Sequence, residues 1–184
     1  ENKKLTTPVD WAWATLHMAK ETDMDDSGIR VGQGFDVHRL VEGRLLVLGG
    51  IEIPFHLALD GHSDADVLTH AIIDALLGTI GGGDIGQLFP DSDTQYKDIS
   101  SLILLERVRE KLEEQQVSIV NIDAVVMAQQ PKLAPHIPAM RTKLASVLYI
   151  EESAISVKAT TTERLGFVGR EEGMASQAVA LVRT

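Results

Sequence analysis

Cysteine is absent from the 184 residues. That excludes a disulfide scaffold, a thiolate metal site and a cysteine nucleophile, and it agrees with a reducing compartment. Aromatic residues are scarce at 4%, so the core must be built from Leu, Ile, Val and Ala. No apolar run approaches the roughly 20 residues that span a bilayer. The first residues lack the apolar stretch of a secretory signal, and their Asp and Glu content argues against an intact transit peptide. Basic residues are in deficit, 17 against 27 acidic ones, for a formal net charge of -10. Nucleic acid is a poor partner for such a surface. A phosphorylated ligand would need local help from bound metal ions, backbone N–H groups or a few placed Lys and Arg residues.

What is present fits one globular domain, with 44% hydrophobic and 24% charged residues. Residues 1–28 read as an extension or linker, poorly ordered, closing on Asp23, Asp25, Asp26, Ser27 and Gly28. Within it, Trp11, Trp13, Leu16 and Met18 suit one apolar side of a short helix. From Ile29 onward the patterning predicts a strand over 29–37 and a hairpin partner over 44–53, broken by Gly49-Gly50. Helices are expected over 66–77, with Ser63 or Asp64 as cap, over 100–116 and over 137–148. Further strands are expected over 117–128, 154–160 and 174–182. That order implies an α+β fold, an α/β sandwich with a mixed sheet covered on one face by helices.

Asp36 and His38 lie two apart in GFDVHRL, so on a strand they share a face. Asp66, His70 and Asp74 recur every fourth residue, which gives a helix a polar stripe opposite Val67, Leu68, Ala71 and Leu76. If that helix lies beside the strand, Asp36, His38 and His70 supply three N and O donors. Three donors with an open fourth position are the pattern of a catalytic zinc site. The plainer alternative is a polar strand end and a solvated helix face.

Three other segments stand out. GGGDIGQLFPDSD, from Gly81 to Asp93, combines backbone freedom with Asp84, Asp91 and Asp93, which suits a lid over hydroxyl groups or an ordinary surface loop. It is not a Walker A loop. KATTTERLGFVGREEG offers the Thr160, Thr161 and Thr162 hydroxyls beside Glu163, which suits phosphate and a hard cation. Threonine-rich strands are otherwise ordinary. AQQPKLAPHI places Lys132 between Pro131 and Pro135 in a stiff loop able to face a nucleobase and a phosphate.

Together and in register, GFDVHRL, HSDADVLTHA, GDIGQLFPDSD, PKLAPHI and KATTTERLGFVGREEG resemble the 2-C-methyl-D-erythritol 2,4-cyclodiphosphate synthases of the non-mevalonate isoprenoid pathway. The resemblance covers residues 29–184 and implies a homotrimer of such subunits around a three-fold axis, with sites at the interfaces. The implied reaction converts 4-diphosphocytidyl-2-C-methyl-D-erythritol 2-phosphate to the cyclic 2,4-diphosphate and CMP. By resemblance Asp36, His38 and His70 hold zinc, and Glu163 holds magnesium or manganese with the diphosphate. His62 and Ser63 touch substrate phosphate, with Asp66 beside the zinc ligands. Asp84 and Gly86 hold the erythritol hydroxyls, and Asp91 and Asp93 share their loop. Ala128, Lys132 and Leu133 line the cytidine pocket, joined by Ala159, Thr160 and Thr161 from the neighbouring subunit, and Pro131 and Thr162 also bind substrate. Asp84, Lys132 and Thr161 are the residues expected to act on the reacting groups.

The resemblance also implies a central apolar cavity where Phe35 and Phe167 meet and Arg170 takes a downstream isoprenoid diphosphate. It implies a bacterial cytoplasm, or an organelle stroma of plastid type if residues 1–28 remain from a leader. Gln33 stands where many relatives have His, and Ala134 is smaller than the usual residue after the Lys132-Leu133 pair. Two rival readings stay open: a metal-dependent phosphoester hydrolase, and a non-catalytic isoprenoid-binding trimer.

Overall fold

The computed structural model describes residues 7–12, 28–90 and 92–184. Residues 8–12 form a helical turn, with the Asp10 carboxylate accepting from the Thr7 N–H at 3.0 Å. The rest of the extension lies outside the described residues, as do Trp13, Leu16 and Met18.

A five-stranded sheet organises the domain in the order β4-β1-β7-β5-β6. Its members are β1 (Ile29–Val41), β4 (Ala58–Leu59), β5 (Ser118–Met127), β6 (Ile155–Thr160) and β7 (Gly173–Arg183). β5 and β6 run parallel and the other neighbours antiparallel, so the sheet is mixed as expected. The segment over 44–53 departs from expectation. Instead of pairing with β1 it folds on itself, β2 (Leu46–Leu48) against β3 (Ile51–Ile53). Gly49 and Gly50 make the turn with φ of 58° and 70°, which only glycine adopts freely.

Three long helices, α1 (Val67–Thr79), α3 (Ser101–Glu114) and α4 (Ile137–Leu148), and the short α2 (Ile85–Leu88) and α5 (Gly166–Gly169) complete the chain. α1 is the centre of the core. Every residue on it except Asp74 and Gly78 is buried, so the plainer alternative of a solvated helix face does not hold. One side lies on β1 and β7 and another on α3. No helix among the described residues is long and apolar enough to cross a membrane.

Asp66, expected inside this helix and near substrate, is its N-cap and is fully buried. Its carboxylate accepts from Thr69 N–H (3.0 Å), Thr69 Oγ1 (2.7 Å), Gly49 N–H (2.9 Å) and Gly50 N–H (2.7 Å). One side chain thus starts the central helix and pins the β2–β3 turn to it. Burial pushes this carboxyl above its ordinary range, against the hydrogen bonds from Thr69 and Gly50. Both carboxylate oxygens of Asp66 thus accept from groups of the fold.

The sheet's two faces differ. Even-numbered residues of β1 face α1, and odd-numbered ones face away. On the far side Ile29, Val31, Phe35 and Val37 of β1 and Val179 of β7 are 40–64% exposed. That leaves a bare apolar sheet face on a single chain.

Candidate metal centre

The site begins at two glycines. A Cβ on Gly32 would sit 1.9 Å from the Ala75 carbonyl oxygen, and one on Gly34 2.0 Å from that of Ala71. Only bare backbone lets α1 settle so closely on β1. Further along the same face the strand presents Asp36 and His38, and one turn nearer its start the helix presents His70.

Three donor atoms converge there. His70 Nδ1 lies 2.9 Å from Asp36 Oδ2, His38 Nε2 lies 3.0 Å from the same oxygen, and the two nitrogens are 3.2 Å apart. A tetrahedral ion with bonds of about 2.0–2.1 Å keeps its ligand atoms about 3.3–3.4 Å from one another. The cluster need open by only a few tenths of an ångström to accept one. It is the one group of three or more metal-capable side chains among the described residues.

The electrostatics suit a cation. Burial alone would raise the Asp36 carboxyl, but the hydrogen bonds and charges of His38 and His70 hold it well below the usual carboxylate range. Burial lowers His70, and the Asp36 hydrogen bond and charge overrule it in the opposite direction. The same negative charge that raises His70 would attract a cation to this place.

His70, only 7% exposed, is oriented from behind. Its Nε2 lies 2.8 Å from Ser101 Oγ and 3.1 Å from Ser63 Oγ. The Ser101 hydroxyl donates to Asp64 Oδ1, and the Ser101 N–H donates to Asp64 Oδ2 at 2.9 Å. The tautomer that satisfies this chain has Nε2–H donating to Ser101, leaving the Nδ1 lone pair toward Asp36 and His38. Sequence reading assigned no such part to Asp64 and Ser101. Asp64 was expected only as a helix cap, and Ser101 joins the site solely through tertiary packing.

The donors open on a hollow of about 250 Å³. Its polar wall has His62, Ser63 and Gly86, and its apolar wall has Ile85, Phe89, Tyr96 and Leu104. The apolar wall was not anticipated. Asp84 does not line the hollow; its carboxylate caps α2, accepting from Gln87 N–H at 2.8 Å and Gln87 Nε2 at 2.9 Å. Asp93 caps the short 3₁₀ turn Thr94–Tyr96 through the Gln95 N–H. Asp91 lies outside the described residues.

A second hollow of about 180 Å³ is lined by Ala128, Pro131, Lys132, Leu133, Ala159, Thr160 and Thr161, among others. This corrects an expectation. The threonine segment was assigned to a neighbouring subunit, yet β5 and β6 pair in parallel, with Met127 opposite Thr160, and bring both segments together within one chain. The two hollows share no lining residue. In register, Asp36 aligns with Ser176, Val126 and Ala159, three strand spacings or about 14 Å across the sheet.

Glu163 stands apart from the donor cluster. Its Oε1 accepts from Thr161 Oγ1 at 3.0 Å, and its backbone is left-handed at φ 53°. The Thr162 hydroxyl is spent on Leu165 O at 2.7 Å. Phe35 and Phe167 are 53% and 39% exposed. Arg170 is engaged by Glu172 at 2.9 and 3.0 Å.

Fold and donor set together are those of an α+β protein with a buried site suited to a metal ion. The chain belongs to the YgbB family, whose model matches residues 29–183. The 2-C-methyl-D-erythritol 2,4-cyclodiphosphate synthase of Halalkalibacterium halodurans is 59% identical over 154 residues, 84% of this chain and 98% of its own length. That of Syntrophomonas wolfei is 60% identical over 154 residues, again 84% and 98%. The bifunctional IspDF of Campylobacter jejuni superposes with a TM-score of 0.82 at 46% identity, covering 84% of this chain and 42% of that one. The CDP complex of IspF from Plasmodium falciparum gives 0.75 at 36%, covering 85% and 97%. The resemblance carried by the five motifs is upheld.

Proposed function

We propose that this chain cyclises 4-diphosphocytidyl-2-C-methyl-D-erythritol 2-phosphate to the 2,4-cyclodiphosphate and releases CMP, as a phosphorus–oxygen lyase. The observation that carries the reading is the convergence of Asp36, His38 and His70 on the wall of the larger hollow, in a chain that its relatives match over most of their length.

Asp36, His38 and His70 are the zinc ligands in this reading. A zinc ion bound there supplies Lewis acidity, drawing charge from a phosphoryl oxygen. The chain's own residues do the rest. A 2-phosphate oxygen attacks the β-phosphorus of the same molecule, and the bond to the CMP oxygen breaks. Both reacting groups belong to one substrate, so the protein's main task is to fold it into the ring-closing shape. His62 and Ser63 receive phosphate from the polar wall, while Ile85, Phe89 and Leu104 exclude water beside it. Gly86 offers its backbone to the erythritol hydroxyls. Asp84 reaches them only by giving up Gln87. Lys132 and Thr161, at the second hollow, place a positive charge and a donor on the departing CMP. Glu163, two residues beyond Thr161, is the proposed ligand for magnesium or manganese. Incubation with the cytidylyl substrate and magnesium, followed by phosphorus NMR, tests the reading. Cyclic diphosphate and CMP are expected; inorganic phosphate would instead mean a hydrolase.

Ser101 tests the orientation of His70. Replacing it by alanine removes the acceptor behind Nε2 and is expected to weaken zinc binding by about 10–100-fold. Competition with a chromogenic chelator measures this, and an unchanged affinity would remove Ser101 from the site.

Assembly as a homotrimer is the reading that gives the bare sheet face a purpose. Ile29, Val31, Phe35 and Val37 would be covered by neighbours, and the two separate hollows would be joined across the interface. Phe167 and Arg170 would then face a central cavity, where an isoprenoid diphosphate must displace Glu172 from Arg170. Light scattering should give three times the chain mass of 20.0 kDa for the wild type, and one chain mass for Phe35→Asp. A Phe35→Asp protein that keeps the full assembly mass would place the interface elsewhere.

A further inference from the structure

Arg44 sits between β1 and β2, outside every motif discussed so far. Its guanidinium reaches across to a segment distant in sequence. Nη1 donates to the Gly61 carbonyl at 2.8 Å, and Nη2 donates to the Ser63 carbonyl at 2.9 Å and to Asp98 Oδ1 at 3.1 Å. The carbonyl left between them, that of His62, accepts the Asp98 N–H at 2.8 Å. Three successive carbonyls are thus held by one arginine and the aspartate it grips. The next residue continues the seam, with Asp64 N–H donating to the Ile99 carbonyl at 3.1 Å.

The seam lies where the hollow is formed. Gly61 packs on the metal cluster so closely that a Cβ there would stand 3.1 Å from His38 Cε1. His62 and Ser63 line the polar wall, and Tyr96, two residues before Asp98, lines the other. Asp98 itself holds a left-handed backbone, φ 55°, which a residue with a side chain adopts only when its neighbours enforce it. Meanwhile the imidazole of His62 keeps a buried Nε2 with no hydrogen-bond partner. The three carbonyls of the loop are therefore engaged while a ring nitrogen on it stays unspent. A buried polar atom in that state is suited to a ligand's oxygen.

We infer that Arg44 is a positioning residue for the reaction: through the carbonyls of Gly61 and Ser63 and the carboxylate of Asp98, it fixes the loop that presents His62 and Ser63 to substrate phosphate. This rests on the function proposed above. Arginine suits the task because its planar fork addresses several acceptors at once, whereas a lysine ammonium is a point charge on a flexible stem.

The test compares wild type, Arg44→Ala, Arg44→Lys and Asp98→Asn as zinc-loaded enzymes. Misplacing a binding loop costs rate steeply, so Arg44→Ala should lose about tenfold or more in kcat/KM, chiefly through KM. Its zinc content and melting temperature should stay near those of the wild type. Millimolar guanidinium should restore part of the loss in Arg44→Ala but none in His62→Ala. Arg44→Lys should stay impaired, and Asp98→Asn should show a smaller rise in KM. Hydrogen exchange over residues 61–64 and 98–101 should speed up in Arg44→Ala. Unchanged kcat/KM in a folded Arg44→Ala overturns the inference, and so does a loss that merely follows zinc content. Should Arg44→Ala not fold, a wild-type KM in both Arg44→Lys and Asp98→Asn overturns it instead. If the wild type makes no cyclic diphosphate, the proposed function fails, whereas exchange over 61–64 still reports on the clamp.

Discussion

His70→Ala is expected to purify with less than about a tenth of the wild-type zinc and to form no detectable cyclic product. The substitution leaves Asp36 and His38, two donors where a firmly bound ion needs three. It also removes the donor whose ring is oriented from behind by Ser101 and Asp64. The loss should not come from unfolding alone. His70 sits in the first turn of α1, where the helix meets the hollow, so removing its ring extends an existing cavity and costs about 2–3 kcal/mol at most. His70→Asn separates the two effects. Asparagine keeps a polar group near Ser101 but is a poor zinc ligand, so its stability should lie nearer the wild type while its metal content stays low. Elemental analysis and phosphorus NMR on the same samples provide the check. Cyclisation that persists in metal-depleted His70→Ala would remove zinc from the reaction.

Gly34→Ala is expected to cost stability on a scale that threatens folding, about 3–4 kcal/mol or more out of a typical 5–15. The added methyl would stand 2.0 Å from the Ala71 carbonyl oxygen and 2.6 Å from the Ala75 nitrogen. Both neighbours are helix backbone, so no rotamer change relieves the clash. The central helix must back away from the strand, or the strand must bend. Either movement separates His70 from Asp36 and His38. Urea denaturation and zinc content should therefore fall together, unlike in His70→Ala, where zinc is lost first. A wild-type denaturation midpoint for Gly34→Ala would mean that strand and helix do not touch at this residue.

The contrast between these two variants shows which parts of the molecule were legible in the sequence. The donor cluster was, because D-x-H on a strand has a period of two, His70 falls in a helical pattern, and the five motifs occur together. The helix over 137–148 was legible to the residue, since Pro138 marks its start. The turn over 44–53 was misread because Gly49-Gly50 signals a tight reversal without saying which strand returns. Asp66 was misread for a different reason. An aspartate four residues before a histidine looks like part of a polar stripe, and nothing local says that it faces Gly49 and Gly50 instead. The placement of the threonine segment failed on topology, because parallel pairing of β5 and β6 is set by the intervening α4. Ser101, Asp64 and Arg44 carried no local signal of the parts they take here, since each meets its partner only through the tertiary fold.

One feature of the metal centre bears on folding itself. Asp36 and His70 are separated by 34 positions in the chain, and the donors come from a strand and a helix that touch through bare glycine backbone. An ion held by both elements acts as a clip that closes a long loop. Such an ion would bind the native chain and find no preformed site in the unfolded one, so its binding free energy would add to stability by mass action. At a free concentration about a thousandfold above the dissociation constant, that linkage contributes about 4 kcal/mol. Chelation should thus lower the thermal midpoint as well as silence the site.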